Sequence, residues 1–329
     1  MENSKSLNFN IYTVNAANFD DIALQLFHFQ AVNNPVYRDY LKYLSIDPGH
    51  IENVSEIPFL PISFFKSQTI KTGKWEDQAV FQSSSTTGTL PSKHSVKDLS
   101  FYLSHAKLCF EFFFGPVSGY HFFALLPAYL ERNNSSLVAM VDFFIKQSGS
   151  PFSGFYLSDL DKLKADIAIA RKDESKKVIV WGVSFALLDL AESKPPNLSD
   201  CLVFETGGMK GRRAEITRQE LHAVLKGAFN VSAIYSEYGM TELFSQAYTR
   251  GSSTFFTPPW MNVLIREVGD PFTQVKEGKP GGINIIDLAN VDTIGFIETE
   301  DSGLVVDPGF EVHGRLDNTD IRGCNLMVE

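Results

Sequence analysis

Between residues 121 and 236 the hydrophobic period switches repeatedly, and that alternation limits the chain to few architectures. Residues 121–126 read as a buried strand, and residues 135–147 as a helix with Asn134 or Ser135 at its N-cap. Residues 159–170 form a second helical pattern, followed by a strand at 177–181, a helix at 185–192 and a strand at 201–205. Residues 217–228 read as a helix with Thr217 and Glu220 spaced for a capping box, and a strand at 232–236 follows. Strands alternating with helices imply an α/β fold with parallel and mixed sheet segments flanked by helices. Beyond about Gly251 helical signals fade, and short strands at 263–265, 282–286, 295–299 and 303–306 are separated by Gly, Pro and Asp turns. The expected organisation is an α/β core over residues 1–250 and a smaller β-rich subdomain over 251–329.

Upstream, residues 18–45 read as two helices, the second opened by Pro35. Residues 57–65 carry Pro58 and Pro61 and should be extended. A short strand at 80–82 enters a Ser/Thr-rich loop, and a helix is expected over 96–114, ended by Gly115-Pro116.

Composition narrows the function classes. A net charge of −10 argues against a bulk nucleic-acid binder, which needs basic surface, but leaves room for a local nucleotide pocket. The 28 phenylalanines point first to a Phe-rich core and second to a lining for an acyl or aromatic pocket. Cys109, Cys201 and Cys324 have no metal-ligand spacing and no disulfide pattern, which suggests a reducing compartment. The first residues lack an apolar signal region and no apolar run reaches membrane-spanning length, so the expected location is cytoplasmic.

Four segments carry chemistry. Ser83, Ser84, Ser85, Thr86, Thr87 and Gly88, with Lys93 beyond them, offer hydroxyls and flexible backbone suited to phosphate oxygens at a strand–loop–helix junction. The segment is neither a Walker A loop nor a G-x-G-x-x-G turn. The strand at 201–205 runs into Gly207-Gly208, which would let a flat ligand approach the backbone, and then into Lys210, Arg212 and Arg213. That basic trio either faces phosphates or forms a solvated turn. Tyr238-Gly239-Met240-Thr241-Glu242 supplies a ring to stack on a purine, a hydroxyl for a phosphate and a carboxylate for Mg2+. Asp301 is suited to accept both protons of a ribose diol, and Gly314-Arg315 follows it. A serine-hydrolase reading rests on Gly182-Val183-Ser184-Phe185-Ala186, which lacks the closing glycine of a nucleophile elbow.

In this order the segments resemble the acyl-adenylate-forming superfamily of acyl-CoA synthetases, peptide-synthetase adenylation domains and firefly luciferase. The Tyr238–Glu242 run is the most specific match. Within the superfamily the chain is most similar to LuxE-type acyl-protein synthetases, through residues 126–138, 204–213 and 321–326, and the likeness covers nearly the whole sequence. The resemblance implies that Ser84, Ser85, Thr86, Thr87 and Gly88 hold the phosphates of ATP. It implies that Gly207 and Gly208 border the adenine, that Tyr238 stacks on it beside Gly239, and that Asp301 binds the ribose. Thr241 would contact the α-phosphate, Glu242 the Mg2+ ion, and Arg315 the ribose or phosphates, with Asp317 at the hinge between large and small domains.

The chain departs from the family pattern in three ways. Ser85 stands where the phosphate loop usually has a glycine, and Lys93 lies farther from Gly88 than the family lysine does. The sequence also stops at Glu329, so a C-terminal lid lysine is expected to have no counterpart, and Lys210, Arg212 or Arg213 is expected to supply its charge. The implied reaction is attack of a fatty carboxylate on the α-phosphate of ATP, releasing pyrophosphate. Acyl transfer follows to Cys324, whose neighbour Arg322 would favour the thiolate. The acyl group would pass on to an acceptor protein such as an acyl reductase. Two alternatives share the pocket: ligation to CoA or a carrier protein, and nucleotide binding without catalysis.

Overall fold

The computed structural model describes residues 9–84, 90–126, 134–157, 159–207, 213, 216–275 and 278–316. Helices α1 (Phe19–Asn33) and α2 (Pro35–Tyr43) meet at Asn34, whose side chain accepts a hydrogen bond from the Tyr37 N–H and caps α2. Pro35 occupies the first turn, where its missing N–H is not needed. The proline-rich run gives a two-residue strand, β1 (Leu60–Pro61), and then one helical turn, α3 (Phe64–Ser67), rather than staying extended.

Strand β2 (Ala79–Gln82) pairs antiparallel with β3 (Lys93–Val96), and only then does α4 (Leu99–Phe114) begin. The helix expected from residue 96 therefore starts later. Asp98 accepts a hydrogen bond from the Phe101 N–H, which fixes the N-cap there and leaves residues 93–96 free to pair. The Ser/Thr-rich segment accordingly joins two strands of a hairpin and does not enter a helix.

The alternating region folds as its pattern requires. It comprises β4 (Tyr120–Leu125), α5 (Ser136–Ser148), β5 (Gly154–Phe155), α6 (Leu160–Ala170), β6 (Lys177–Val183), α7 (Ser184–Glu192), β7 (Leu202–Thr206), α8 (Arg218–Phe229) and β8 (Tyr235–Tyr238). Ser135 caps α5, and Thr217 with Glu220 forms the capping box of α8. The strands β5, β4, β6, β7 and β8 pair in that order, all parallel. Pairing turns antiparallel at β9 (Ala247–Thr249) and continues through β10 (Phe255–Phe256), β11 (Met261–Arg266), β12 (Gly281–Asp287), β13 (Phe296–Val306) and β14 (Gly309–Arg315). Hydrogen bonding runs unbroken along β11-β12-β13-β14-β10-β9-β8-β7-β6-β4-β5, and β1 adds to β13 in parallel. The first helices lie against these later strands: the Gln30 amide donates to the Asn290 carbonyl, and the Asn34 amide to that of Thr293.

The phenylalanine content is spent on an aromatic centre beneath the parallel strands. The ring of Phe110 contacts those of Phe122, Phe144, Trp181, Phe204 and Tyr248, and Trp181 stacks on Phe204 at 4.8 Å. Each fully buried ring of this size contributes about 1.5–3 kcal/mol of transfer free energy. Cys109 is buried among these groups and Cys201 is paired with Asp200, so neither thiol is poised as a nucleophile. Among the described residues no helix is long and apolar enough to cross a membrane.

Candidate functional site

A cavity of about 590 Å³ opens where the parallel strands β7 and β8 end. Open α/β sheets place ligands beyond the carboxyl ends of their strands, and the direction of pairing also changes here, at β8–β9. The wall gathers segments far apart in sequence: Ser83 and Ser84 after β2, Thr206 and Gly207 at the end of β7, residues 237–242 at the end of β8, and Glu300, Asp301 and Arg315 from β13 and β14. Ser84, Gly207, Tyr238, Gly239, Thr241, Glu242, Asp301 and Arg315, singled out in the sequence, all line it. Ser85, Thr86, Thr87, Gly88, Gly208, Lys210, Arg212, Asp317 and Cys324 lie outside the described residues.

Two basic residues singled out in the sequence point elsewhere. Lys93 begins β3 as an exposed residue away from the cavity wall. Arg213 forks onto Asp189 and Glu192 of α7, with 2.6 Å from its Nη1 to Glu192, so its charge is engaged outside the cavity. Lys66 stands in the wall instead, which nothing in its local sequence indicates. Its Nζ lies 3.6 Å from one oxygen of Glu300, while Arg315 lies 3.4 Å from the other. Glu300 thus holds two cations in the cavity wall, and the Arg315 side chain remains largely exposed.

Tyr238 donates from its hydroxyl to Asp301 at 2.8 Å, and its ring rests against Phe255 and Phe310. This contact joins the expected purine-facing and ribose-facing residues into one unit. Burial pushes the Asp301 carboxyl up, and the Tyr238 hydroxyl and Arg315 oppose that shift. Asp301 is aimed by a β-bulge: the β13–β14 register slips between Ser302 and Gly303. A side chain at Gly303 would place its Cβ 2.3 Å from the Glu311 carbonyl oxygen, so the two strands can approach only at a glycine.

Thr241 and Glu242 sit on a turn fixed from below. His94 is fully buried, and burial pushes it down to about 4, so the ring is neutral. Its Nδ1 lies 2.8 Å from the Thr241 carbonyl, which can only accept, so Nδ1 carries the hydrogen and Nε2 accepts from the Thr293 hydroxyl at 2.9 Å. Farther along the turn, Asp287 accepts from the Phe244 and Ser245 N–H groups at 2.8 and 2.9 Å, and Asn290 donates to the Glu242 carbonyl at 2.9 Å.

The Glu242 side chain is 4% exposed, and burial pushes its carboxyl up. The Ser92 hydroxyl, and more weakly Arg315 and Lys66, pull it back. Among the described residues no cluster of three His, Cys, Asp or Glu side chains could bind a metal unaided. One buried carboxylate in a cavity wall nevertheless fits Mg2+, which takes one or two protein carboxylates and completes its shell with water and phosphate oxygens.

Sequence reasoning also passed over Glu237. Burial pushes its carboxyl up to about 7; the Thr206 hydroxyl opposes this and the neighbouring Glu205 reinforces it. The folded state therefore keeps this proton where the unfolded chain, with a value near 4.5, releases it. The resulting stability is full below about pH 4.5 and is lost as pH rises through about 7. Glu237→Gln is neutral throughout, so its melting temperature should fall less than the wild type's between about pH 5 and about pH 8. Parallel melting curves for the two proteins would show that Glu237 does not titrate in this way.

The serine-hydrolase reading is not supported by the position of Ser184. Its hydroxyl donates to the Gly207 carbonyl and lies 3.4 Å from Glu205, bracing the glycine turn from behind.

No family model and no curated protein matches the sequence. Solved structures do match. A 2-hydroxyisobutyryl-CoA ligase in an open conformation, in complex with 2-HIB-AMP and CoA, superposes with a TM-score of 0.64 at 14% identity, over 97% of this chain and 75% of that one. ATP-bound MatB from Rhodopseudomonas palustris gives 0.53 at 18% identity, over 72% of this chain and 48% of that one. A long-chain-fatty-acid-CoA ligase, FadD1, from Archaeoglobus fulgidus gives 0.54 at 14% identity, over 75% of this chain and 53% of that one. The chain spans about half the length of the latter two. The mixed α/β architecture, a large sheet flanked by helices, is shared with these ligase structures.

Proposed function

We propose that the protein uses ATP to activate a long-chain carboxylic acid as its acyl-adenylate, and that Cys324 then takes the acyl group as a thioester for delivery to an acceptor protein. The observation that carries the first step is the convergence of Thr241, Glu242, Tyr238, Asp301, Arg315, Ser84 and Gly207 on one cavity at the ends of β7 and β8. Tyr238 and Asp301 would seat the nucleoside, with the ribose hydroxyls donating to the carboxylate already held by the tyrosine. Gly207 would let the base lie against the backbone, and the Ser/Thr-rich hairpin would meet the phosphates.

The acid's carboxylate attacks the α-phosphorus, an O–P bond forms, and the bond to the pyrophosphate breaks. The protein's part is alignment and charge compensation. The Thr241 hydroxyl is suited to donate to an α-phosphate oxygen. Arg315 and Lys66 would turn from Glu300 toward the departing pyrophosphate, and Lys66 would supply charge of the kind expected from Lys210, Arg212 or Arg213. Mg2+ held by Glu242 would neutralise phosphate charge when bound. In the second step the Cys324 thiolate would attack the acyl carbonyl and expel AMP.

Ligation to CoA is the second reading. It is favoured by the neighbouring structures that are CoA ligases, one of them holding both an acyl-adenylate and CoA. Acid-dependent exchange of labelled pyrophosphate into ATP, run across chain lengths, tests the shared first step; no exchange with any acid refutes it. The acceptor is tested with Cys324→Ser. After incubation with ATP and the best acid, the wild type should gain one acyl mass and the variant none. An acylated variant, or CoA ester formed equally by both proteins, would assign the acyl group to another acceptor.

A further inference from the structure

One stretch of the cavity wall brings together a buried amide oxygen that has no partner among the described residues and a carboxyl group. Strands β8 and β9 pair antiparallel with Glu237 opposite Tyr248 and Tyr238 opposite Ala247, so Gly239 and Gln246 come next on the face that Glu237 shares. A side chain at Gly239 would meet Glu237 Oε1 at 2.1 Å and Gln246 Cγ at 3.2 Å, so the bare glycine lets the two polar side chains close over it. Both line the cavity.

Gln246 is 4% exposed; its Nε2 donates to the Phe244 carbonyl at 2.9 Å, while its Oε1 has no partner among the described residues. Glu237 receives the Thr206 hydroxyl on Oε2, and among the described residues Oε1 receives no donor. Two donors nearby are committed, Thr206 to Glu237 and Tyr102 to the Ser136 carbonyl at 3.1 Å, and the buried Tyr248 hydroxyl makes no hydrogen bond to either oxygen. The lining of the same cavity also includes the apolar Leu137 and Met140.

A buried amide oxygen left without a donor is costly, and with the Glu237 carboxyl beside it the wall is a poor one for an unbranched hydrocarbon chain. We propose that the acid activated here carries a hydrogen-bond donor, a hydroxyl or an amino group, on its chain, and that Glu237 and Gln246 receive it. This rests on the acyl-adenylate reading and narrows its substrate. A site built to hydrogen-bond a substrate group discriminates strongly against the analogue lacking it, because its own polar groups are then left unpaired.

The test is pyrophosphate exchange with length-matched acids, unsubstituted or bearing a hydroxyl or an amino group at successive carbons. At one position the substituted acid should exceed its parent in kcat/KM by about tenfold to a hundredfold. Gln246→Leu and Glu237→Leu should reverse that ranking. Glu237→Gln separates the sources, lowering the preference for an amine and sparing that for a hydroxyl. Exchange that is strongest with unsubstituted acids, with a ranking unmoved in all three variants, would overturn the proposal and leave adenylate formation standing, the two oxygens then holding only water. Exchange with no acid would overturn both.

Discussion

Glu242→Gln is expected to lower acid-dependent pyrophosphate exchange by on the order of 10²–10³-fold while leaving the melting temperature equal to or above the wild type's. The two halves of this expectation have one cause. Glu242 is held in the cavity wall with its carboxyl pushed up by burial, so at neutral pH its charge opposes folding. A neutral residue of the same volume removes that cost. It keeps the bond from Asn290, which goes to the Glu242 backbone carbonyl and not to the side chain. The carboxylate's use is then functional: it is the buried anion beside Thr241 at which Mg2+ and a phosphate chain could meet. A residue kept for structure would show the opposite split, a lower melting temperature with proportionate loss of activity. The rate is to be measured over a range of Mg2+ concentrations, since weakened metal binding appears first as a raised requirement for the ion. Exchange within about threefold of the wild type at every Mg2+ concentration would remove Glu242 from the machinery.

What the sequence made legible, and what it hid, divides along a physical line. The α/β alternation, the Pro35 start of α2 and the caps at Ser135 and Thr217 were readable because each is decided by neighbours within one turn. Residues 96–98 were misjudged because a helical pattern cannot show that Val96 will pair with Ala79 of β2. The expected strands at 295–299 and 303–306 are the two ends of β13, and what parted them is the bulge at Ser302 and Gly303. In the site, Tyr238, Thr241, Glu242 and Asp301 stood out because their chemistry is written in compact runs. Lys66, Ser92, Glu237 and Gln246 did not, because their positions in the wall follow from pairing and packing between distant segments. Arg213 shows the converse: its place beside a double glycine suggested a phosphate contact, yet two carboxylates of α7 lie closer.

Asp287→Ala is expected to produce the largest loss of stability of any single substitution near the site, about 3–5 kcal/mol. Asp287 is fully buried at the end of β12. Its Oδ2 accepts from the Phe244 and Ser245 N–H groups, and its Oδ1 from the Ser245 hydroxyl at 2.6 Å and the Ala289 N–H at 3.1 Å. Burial pushes this carboxyl up, and the donors pull it back. The Ser245 hydroxyl, donating to Asp287, must accept from His105, whose Nε2 lies 2.9 Å away and whose ring burial keeps neutral, at about 3. Removing the carboxylate strands four donors, three of them backbone or hydroxyl groups of the segment that follows Glu242. For a chain of this length the loss corresponds to roughly 4–7 °C in melting temperature. Asp287→Asn is the sharper probe. An amide can accept through only one of its two ends, so it must turn its NH2 toward the Phe244 and Ser245 N–H groups or toward Ala289 and Ser245. Its cost should be about 1–3 kcal/mol, against about 1 kcal/mol for Ser245→Ala, which loses one hydroxyl. Melting of all three variants within 1 °C of the wild type, with about unchanged pyrophosphate exchange, would show that the Thr241–Glu242 turn does not depend on Asp287.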